Sequence, residues 1–170
     1  MRVGLISDTH GLLRPEAKRF LHGSDCIIHA GDIGGPAILD QLASIAPVTA
    51  VRGNNDHGAW ADALHQTRLL TLEGVAVYVL HDLAELDVDL HAAGVRVVIA
   101  GHSHRPKVSE RDGIVYINPG SAGPRRFSLP VSVGELRIDG DKVSAQTVEL
   151  DVMIAPATKT IKRARFRGGQ

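Results

Sequence analysis

Beyond the apolar run at 95–100 the chain reads Gly-His-Ser-His, which places His102 and His104 one residue apart. Other apolar runs end in similar fashion. Asp8 and His10 close the run at 2–7, and Asp32 follows 25–30. Asn54, Asn55 and Asp56 follow 48–53, and His81 with Asp82 follows 75–80. Imidazoles, carboxylates and an amide oxygen, with no thiolate among them, suit a catalytic transition-metal site open to water and not a closed structural zinc cage. Asp8, His10, Asp32, Asn54, His81, His102 and His104 make seven candidate ligands. That is too many for one ion with a vacant position and suitable for two ions, bridged by a carboxylate at a separation of about 3.5–4 Å, which drive in-line attack at phosphorus. Taken singly, Asp8-x-His10 is an ordinary helix cap and Gly53-Asn54-Asn55-Asp56 an ordinary turn. Five such accidents at five strand ends are not ordinary.

The elements that must position these residues follow from hydrophobic period. The runs at 2–7, 25–30 and 48–53 read as buried strands. Between them lie two amphipathic helices. In the first, Pro15 stands at the start, Ala17, Phe20 and Leu21 share a face and Gly23 marks the end. In the second, Ile38, Leu39, Leu42 and Ile45 share a face and Pro47 stops the helix. Strand–helix alternation predicts a parallel sheet with right-handed crossovers, whose ligands gather at the carboxyl ends of the strands. Residues 68–82 read as a hairpin turning at Glu73-Gly74, and 95–101 as a further strand. The remainder is β-rich, with hairpin dipeptides at Asp112-Gly113 and Asp139-Gly140. The expected architecture is an α/β protein, a four-layer α/β/β/α sandwich of two mixed β-sheets packed face to face with flanking helices. Gly31, Gly53 and Gly101, beside the ligands, are expected to let the backbone turn sharply. His29 reads as a satisfied core histidine, and His22, His65 and His91 as surface residues.

Composition narrows the classes further. At 170 residues, 44% hydrophobic and 22% charged, the chain reads as one globular domain with enough length for a single core. No apolar stretch is long enough to span a bilayer, and Asp8 interrupts the first run too early for a signal-peptide core, so a cytoplasmic location and no membrane partner are expected. Cys26 is the only cysteine, which excludes an internal disulfide. The zero net charge conceals an asymmetry, because the five basic residues after Asp151 leave 1–151 with a balance of −5. Residues 1–151 are expected to form the domain, and 152–170 a disordered basic tail. The acidic body argues against a nucleic-acid face on the fold, and the tail leaves nucleic-acid binding a secondary expectation.

The ordered set Ser-Asp-Thr-His-Gly, His-Ala-Gly-Asp-Ile, Arg-Gly-Asn-Asn-Asp, Leu-His-Asp, Gly-His-Ser-His and Asn-Pro-Gly-Ser resembles the calcineurin-like metallophosphoesterase superfamily, in its short bacterial and archaeal phosphodiesterase branch. The resemblance covers about residues 1 to 150. It implies that Asp8, His10, Asp32 and His104 hold one divalent ion, and that Asp32, Asn54, His81 and His102 hold the other, with Asp32 bridging. It implies a metal-bridging hydroxide as nucleophile, and small phosphodiesters or nucleotide-like molecules as substrates. Manganese is the first expectation for the ions, with nickel, iron or zinc as alternatives.

Two departures stand out. Many members carry His at the position of Asn55, where it binds phosphate or protonates the leaving group. Asn55 can hydrogen-bond a phosphate but cannot supply a proton, His57 is a possible substitute, and Asp56 is expected to orient His10. Asp82 stands where this branch commonly shows Gly, and adds negative charge beside a ligand. Asn54, Asn55, Asp56 and His57 are therefore the catalytic candidates. Arg125 and Arg126, beyond the Gly-rich turn at 118–123, are candidates with Asn55 for binding phosphate. The alternatives are a non-catalytic protein-binding module on the same fold, as in the retromer's sorting subunit, and a nuclease aided by the basic tail. Exposed sheet edges leave a homo-oligomer open.

Overall fold

Apolar residues fill both alternating sets of positions along the central strands, the pattern of strands buried on two faces. The computed structural model describes residues 1–126 and 128–152, so most of the expected tail lies outside the described residues. It assembles ten strands into two five-stranded sheets. The first contains β1 (Arg2–Ile6), β2 (Cys26–His29), β3 (Val48–Ala50), β9 (Ser132–Asp139) and β10 (Lys142–Glu149), in the order β10-β9-β1-β2-β3. The second contains β4 (Thr67–Leu72), β5 (Val75–Leu80), β6 (Val95–Ile99), β7 (Lys107–Arg111) and β8 (Ile114–Asn118), in the order β4-β5-β6-β8-β7. Both sheets are mixed. β1, β2 and β3 run parallel in one, β5, β6 and β8 in the other, and antiparallel strands flank each group.

The core between the sheets takes one alternating set from each strand: Val3 and Leu5, Ile28, Val75, Val77 and Val79, Val97 and Ile99, Ile117, and Leu136 with Ile138. The opposite face of the first sheet, with Ile6, Ile27 and Val133, packs against α1 (Pro15–Leu21) and α2 (Pro36–Ala43), which bury Ala17, Leu21, Ile38 and Leu42. Each of these helices begins with a proline, whose missing N–H costs nothing at that position. A single-turn α3 (Ala59–Asp62) follows the third strand. On the outer face of the second sheet, the helical layer is reduced to one 3₁₀ turn at Leu83–Glu85 and irregular chain, with Leu90 covering Tyr78, Leu80 and Val98. Among the described residues no helix is long and apolar enough to cross a membrane.

Two hairpins turn where the sequence indicates. Leu72 pairs with Val75 across Glu73-Gly74, and Arg111 with Ile114 across Asp112-Gly113, both dipeptides having positive φ as a type I′ turn requires. The third is displaced by one residue. Asp139 pairs with Lys142, so the turn is Gly140-Asp141, and positive φ at Gly140 alone is the type II′ preference.

Candidate metal centre

The carboxyl ends of the parallel strands of both sheets meet along one edge of the sandwich, and backbone hydrogen bonds stitch their loops together. Asp8 N–H donates to Gly31 C=O and His10 N–H to Asp32 C=O, each at 3.0 Å. Gly101 N–H donates to His81 C=O at 2.9 Å, and Ala122 N–H to Ser7 C=O at 3.0 Å. The fit is close. A Cβ at Gly53 would stand 2.0 Å from the Asp32 nitrogen, and one at Gly101 would stand 2.1 Å from Ser7 Oγ. The expectation that all three glycines serve sharp turning is corrected accordingly. Gly31 has φ +93°, but Gly53 and Gly101 are required because neighbouring loops leave no room for a side chain.

Backbone strain marks the same residues. Asp8, His10, Asp32, His102 and His104 all have φ between 45° and 63°. Apart from the turn residues Glu73 and Asp112, they are the non-glycine residues with positive φ among those described. Such conformations persist only where the surroundings over-determine them, and they collect at functional sites.

The side chains form two adjoining groups. Asp8, His10 and His104 offer ligand atoms within 4.8 Å of one another, as do Asp8, Asp32 and His81. His104 Nε2 stands 3.2 Å from Asp8 Oδ1, and His10 Nε2 stands 3.8 Å from Asp32 Oδ2, which reaches from the second group to the first. Asn54 Oδ1 lies 3.0 Å from His81 Nε2 and 3.2 Å from His102 Nδ1, which extends the second group. All seven ligand candidates are therefore gathered, with the buried Asp8 carboxylate in contact with both groups. A cavity of about 260 Å³ opens beside Asn54, His81 and His102.

These donors fit divalent cations. Both carboxylate oxygens of Asp8, His10 Nε2 and His104 Nδ1 are buried without a hydrogen-bond partner. Unpartnered buried polar atoms are rare and costly, and the two Asp8 oxygens and His10 Nε2 are of the kind a cation would satisfy, with His104 meeting Asp8 through its other nitrogen, Nε2. His81 donates Nδ1–H to Ala30 C=O at 2.7 Å, which leaves the Nε2 lone pair facing the cluster. Burial lowers the basicity of His81, but its contacts with Asp32 and the Ala30 carbonyl outweigh this and raise its pKa. Burial likewise opposes charge on Asp32, and the neighbouring His81 and the two Asn55 donors more than offset it, so the carboxyl lies well below the usual range. His10 is held below its ordinary value chiefly by burial. The nearby Asp32 and Asp8 pull the other way, while the charge of Arg126 and the adjacent His104 add to the fall.

The remaining candidates fall in different places. Asn55 turns on to Asp32, donating its backbone N–H to Oδ1 at 2.8 Å and Nδ2–H to Oδ2 at 2.6 Å. Asp56 does not orient His10, and that expectation is corrected. Its oxygens accept from Gly34 N–H and Gly53 N–H, each at 2.9 Å, tying together the loops that carry Asp32 and Asn54. His57 is exposed and makes no hydrogen bond or ion pair to the cluster among the described residues. Arg125 Nε donates to Leu129 C=O within its own loop, whereas Arg126 lies near enough to His10 to act on its charge. Asp82 was legible only as a charge beside a ligand. It accepts from Ala84 N–H and stands 3.6 Å from His102 Nε2, on the far side of the ring from Asn54. His29 is buried as expected, with Nε2 at 2.9 Å from Thr9 Oγ1 and Nδ1 accepting from Gly31 N–H.

Comparison with known proteins agrees with this geometry. Residues 1–141 match the sequence model of the calcineurin-like phosphoesterase superfamily domain. The chain is 36% identical over 163 residues to a probable metallophosphoesterase of Methanothermobacter thermautotrophicus, covering 87% of this chain and 92% of that one. It is 28% identical over 180 residues to phosphodiesterase YfcE of Escherichia coli, covering 91% and 96% respectively. The fold also matches the solved structure of Vacuolar Protein Sorting 29 from Cryptosporidium parvum. The TM-score is 0.75 at 18% identity, over 88% of this chain and 91% of that one.

Proposed function

The chain belongs to the calcineurin-like phosphoesterase superfamily, and on that premise we propose that it is a phosphodiesterase working with two divalent ions held by Asp8, His10, Asp32, Asn54, His81, His102 and His104. The observation that carries this reading is the set of unpartnered buried atoms on Asp8 and His10, in a cluster whose residues also hold strained backbone. The nitrogen and carboxylate donors suit manganese, nickel, iron or zinc, and manganese is the first ion to add. Bound there, the ions would supply Lewis acidity toward phosphoryl oxygens and a lowered water pKa.

The protein's own residues contribute position and charge. Asp32 is kept ionised and oriented by Asn55, and His81 is held in the tautomer that faces the cluster by the Ala30 carbonyl. Asp56 fixes the spacing of the Asp32 and Asn54 loops through two backbone amides. Arg126, whose charge bears on His10, is the arginine suited to a phosphate oxygen. Asn55 has no proton to give, and His57 faces solvent, so the leaving alcohol must depart without a strong general acid. This favours diesters and activated esters over simple alkyl monoesters.

The test is hydrolysis of bis(p-nitrophenyl) phosphate beside p-nitrophenyl phosphate by chelator-stripped protein, with metals restored one at a time and Asp32→Ala as the control. Metal-restored turnover that favours the diester and is lost in the control is expected. Silence on both esters with every metal would overturn the enzymatic reading and leave a binding module on this fold.

A further inference from the structure

The outer layer of the second sheet reaches Ile114 and Tyr116 of β8 but not β7, leaving a trough of about 320 Å³ over β7 and the carboxyl end of β8. A volume of this size lies at the lower end for small-ligand sites. Its wall follows from strand period. Lys107, Ser109 and Arg111 alternate along β7, so they share one face. Opposite them in register on β8 stand Asn118, Tyr116 and Ile114. Arg105 and Ser103 complete the end nearest the metal centre.

Three cations therefore face one hollow, and none of Arg105, Lys107 and Arg111 has an ion-pair partner among the described residues. The Arg111 guanidinium lies over the Tyr116 ring, 4.5 Å from its centroid, which holds its planar fork in place. One acid, Asp82, lines the trough. One of its oxygens accepts from Ala84 N–H and the other stands near His102, so the hollow keeps a positive balance.

The trough adjoins the metal centre directly. Asp82 borders both this hollow and the cavity beside Asn54, His81 and His102. Gly101 and Ser103 line the trough, while His102 between them lines the other cavity. Consecutive Cα atoms are about 3.8 Å apart, so a molecule reacting at His102 has its next linkage within reach of the trough.

We propose that this trough is a second anion-binding subsite, and that the favoured substrates are phosphodiesters carrying a further phosphate, of which a dinucleotide with a terminal phosphate is one. The inference rests on the reading of the neighbouring centre as a phosphodiesterase. Lys107 and Arg105 supply point and forked charge toward the end nearer the metal centre, and Arg111 supplies a pre-placed fork toward the other end.

The experiment uses the full chain and two probes, thymidylyl-thymidine with and without a 5′-phosphate. Binding to metal-stripped protein is measured by calorimetry at two salt concentrations, and hydrolysis is measured after manganese is restored. The phosphorylated probe is expected to bind more tightly than the other by about tenfold, with an advantage that shrinks in high salt. The double variant Lys107→Glu/Arg111→Glu is expected to abolish that preference. Arg19→Glu, on α1 across the sandwich, carries a charge reversal of the same kind and is expected to keep it. Equal binding of the two probes, or a preference that survives in the double variant, would overturn the subsite. Hydrolysis of both probes without preference would overturn it too, while leaving the phosphodiesterase reading intact. A binding preference with no hydrolysis under any metal would support the subsite and overturn the reading of the centre.

Discussion

Replacing Asp56 by Asn tests how the metal-bearing loops are held. Asp56 is buried, and its two oxygens accept from Gly34 N–H and Gly53 N–H at 2.9 Å each. Asparagine keeps one acceptor and turns an NH₂ group toward the other backbone donor. One charge-assisted hydrogen bond is lost and one buried N–H is left unpaired, at a cost of about 2–3 kcal/mol. For a chain of this length, each kcal/mol moves the midpoint by roughly 2–4 °C, so thermal unfolding is expected about 4–12 °C lower. Gly34 and Gly53 flank the loops of Asp32 and Asn54, so metal affinity is expected to fall about 10–100-fold, as for other residues that orient ligands. Calorimetric unfolding of stripped protein and manganese titration of the same preparation measure both effects. A midpoint unchanged within a degree or two, with unchanged affinity, would refute the reasoning that this carboxylate joins the two loops.

Three further outcomes follow from the same geometry. Burial holds His29 at a pKa of about 4, against an ordinary value of 6.5, so below pH 6.5 the unfolded chain takes up a proton that the folded chain refuses. Stability of the stripped protein should therefore fall as pH drops from about 6.5 to 4, by about 3 kcal/mol from this residue, and denaturation of His29→Gln at both pH values should show a shallower fall. Gly53→Ala places a Cβ 2.0 Å from the Asp32 nitrogen and 2.8 Å from its Cα, contacts that only backbone movement can relieve. Manganese titration should show binding lost or strongly weakened, and an affinity within twofold of the parent would contradict the packing argument. Asn55→Ala removes one of two donors that hold the Asp32 carboxylate, whereas Asn55→Asp sets a like charge against it. Affinity should fall in the order parent, alanine, aspartate, and equal affinities would show that Asn55 does not support Asp32.

Much of the fold was legible because hydrophobic period and turn chemistry are local. The apolar run Val95–Ile99, the proline start of α1 and the shared apolar face of α2 predict those elements, and the Glu73-Gly74 and Asp112-Gly113 dipeptides fix two hairpins. Asp139-Gly140 misplaces the third by a residue, because a lone glycine satisfies type II′ at the first turn position as well as type I′ at the second. The ligand candidates were visible as polar residues at strand ends, the one place where a local signal and a long-range constraint coincide. What escaped were partners drawn from distant segments. Asp56 meets Gly34 across 22 residues, and His81 meets the Ala30 carbonyl across 51, with no local period to announce either contact. The trough at β7 and β8 escaped for the same reason, since its cations converge only when the second sheet is built and its outer layer stops short.

The central claim is that one chain holds two divalent ions side by side, and electron paramagnetic resonance of stripped protein reloaded with two equivalents of manganese tests it most directly. Asp8 touches both groups of donors, and Asp32 extends from the second toward the first, so ions held by the two groups would be close enough to interact. The account predicts a spin-coupled spectrum that Asp32→Ala converts to that of an isolated ion. An isolated-ion spectrum from the parent protein, with the second equivalent left free in solution, would contradict it.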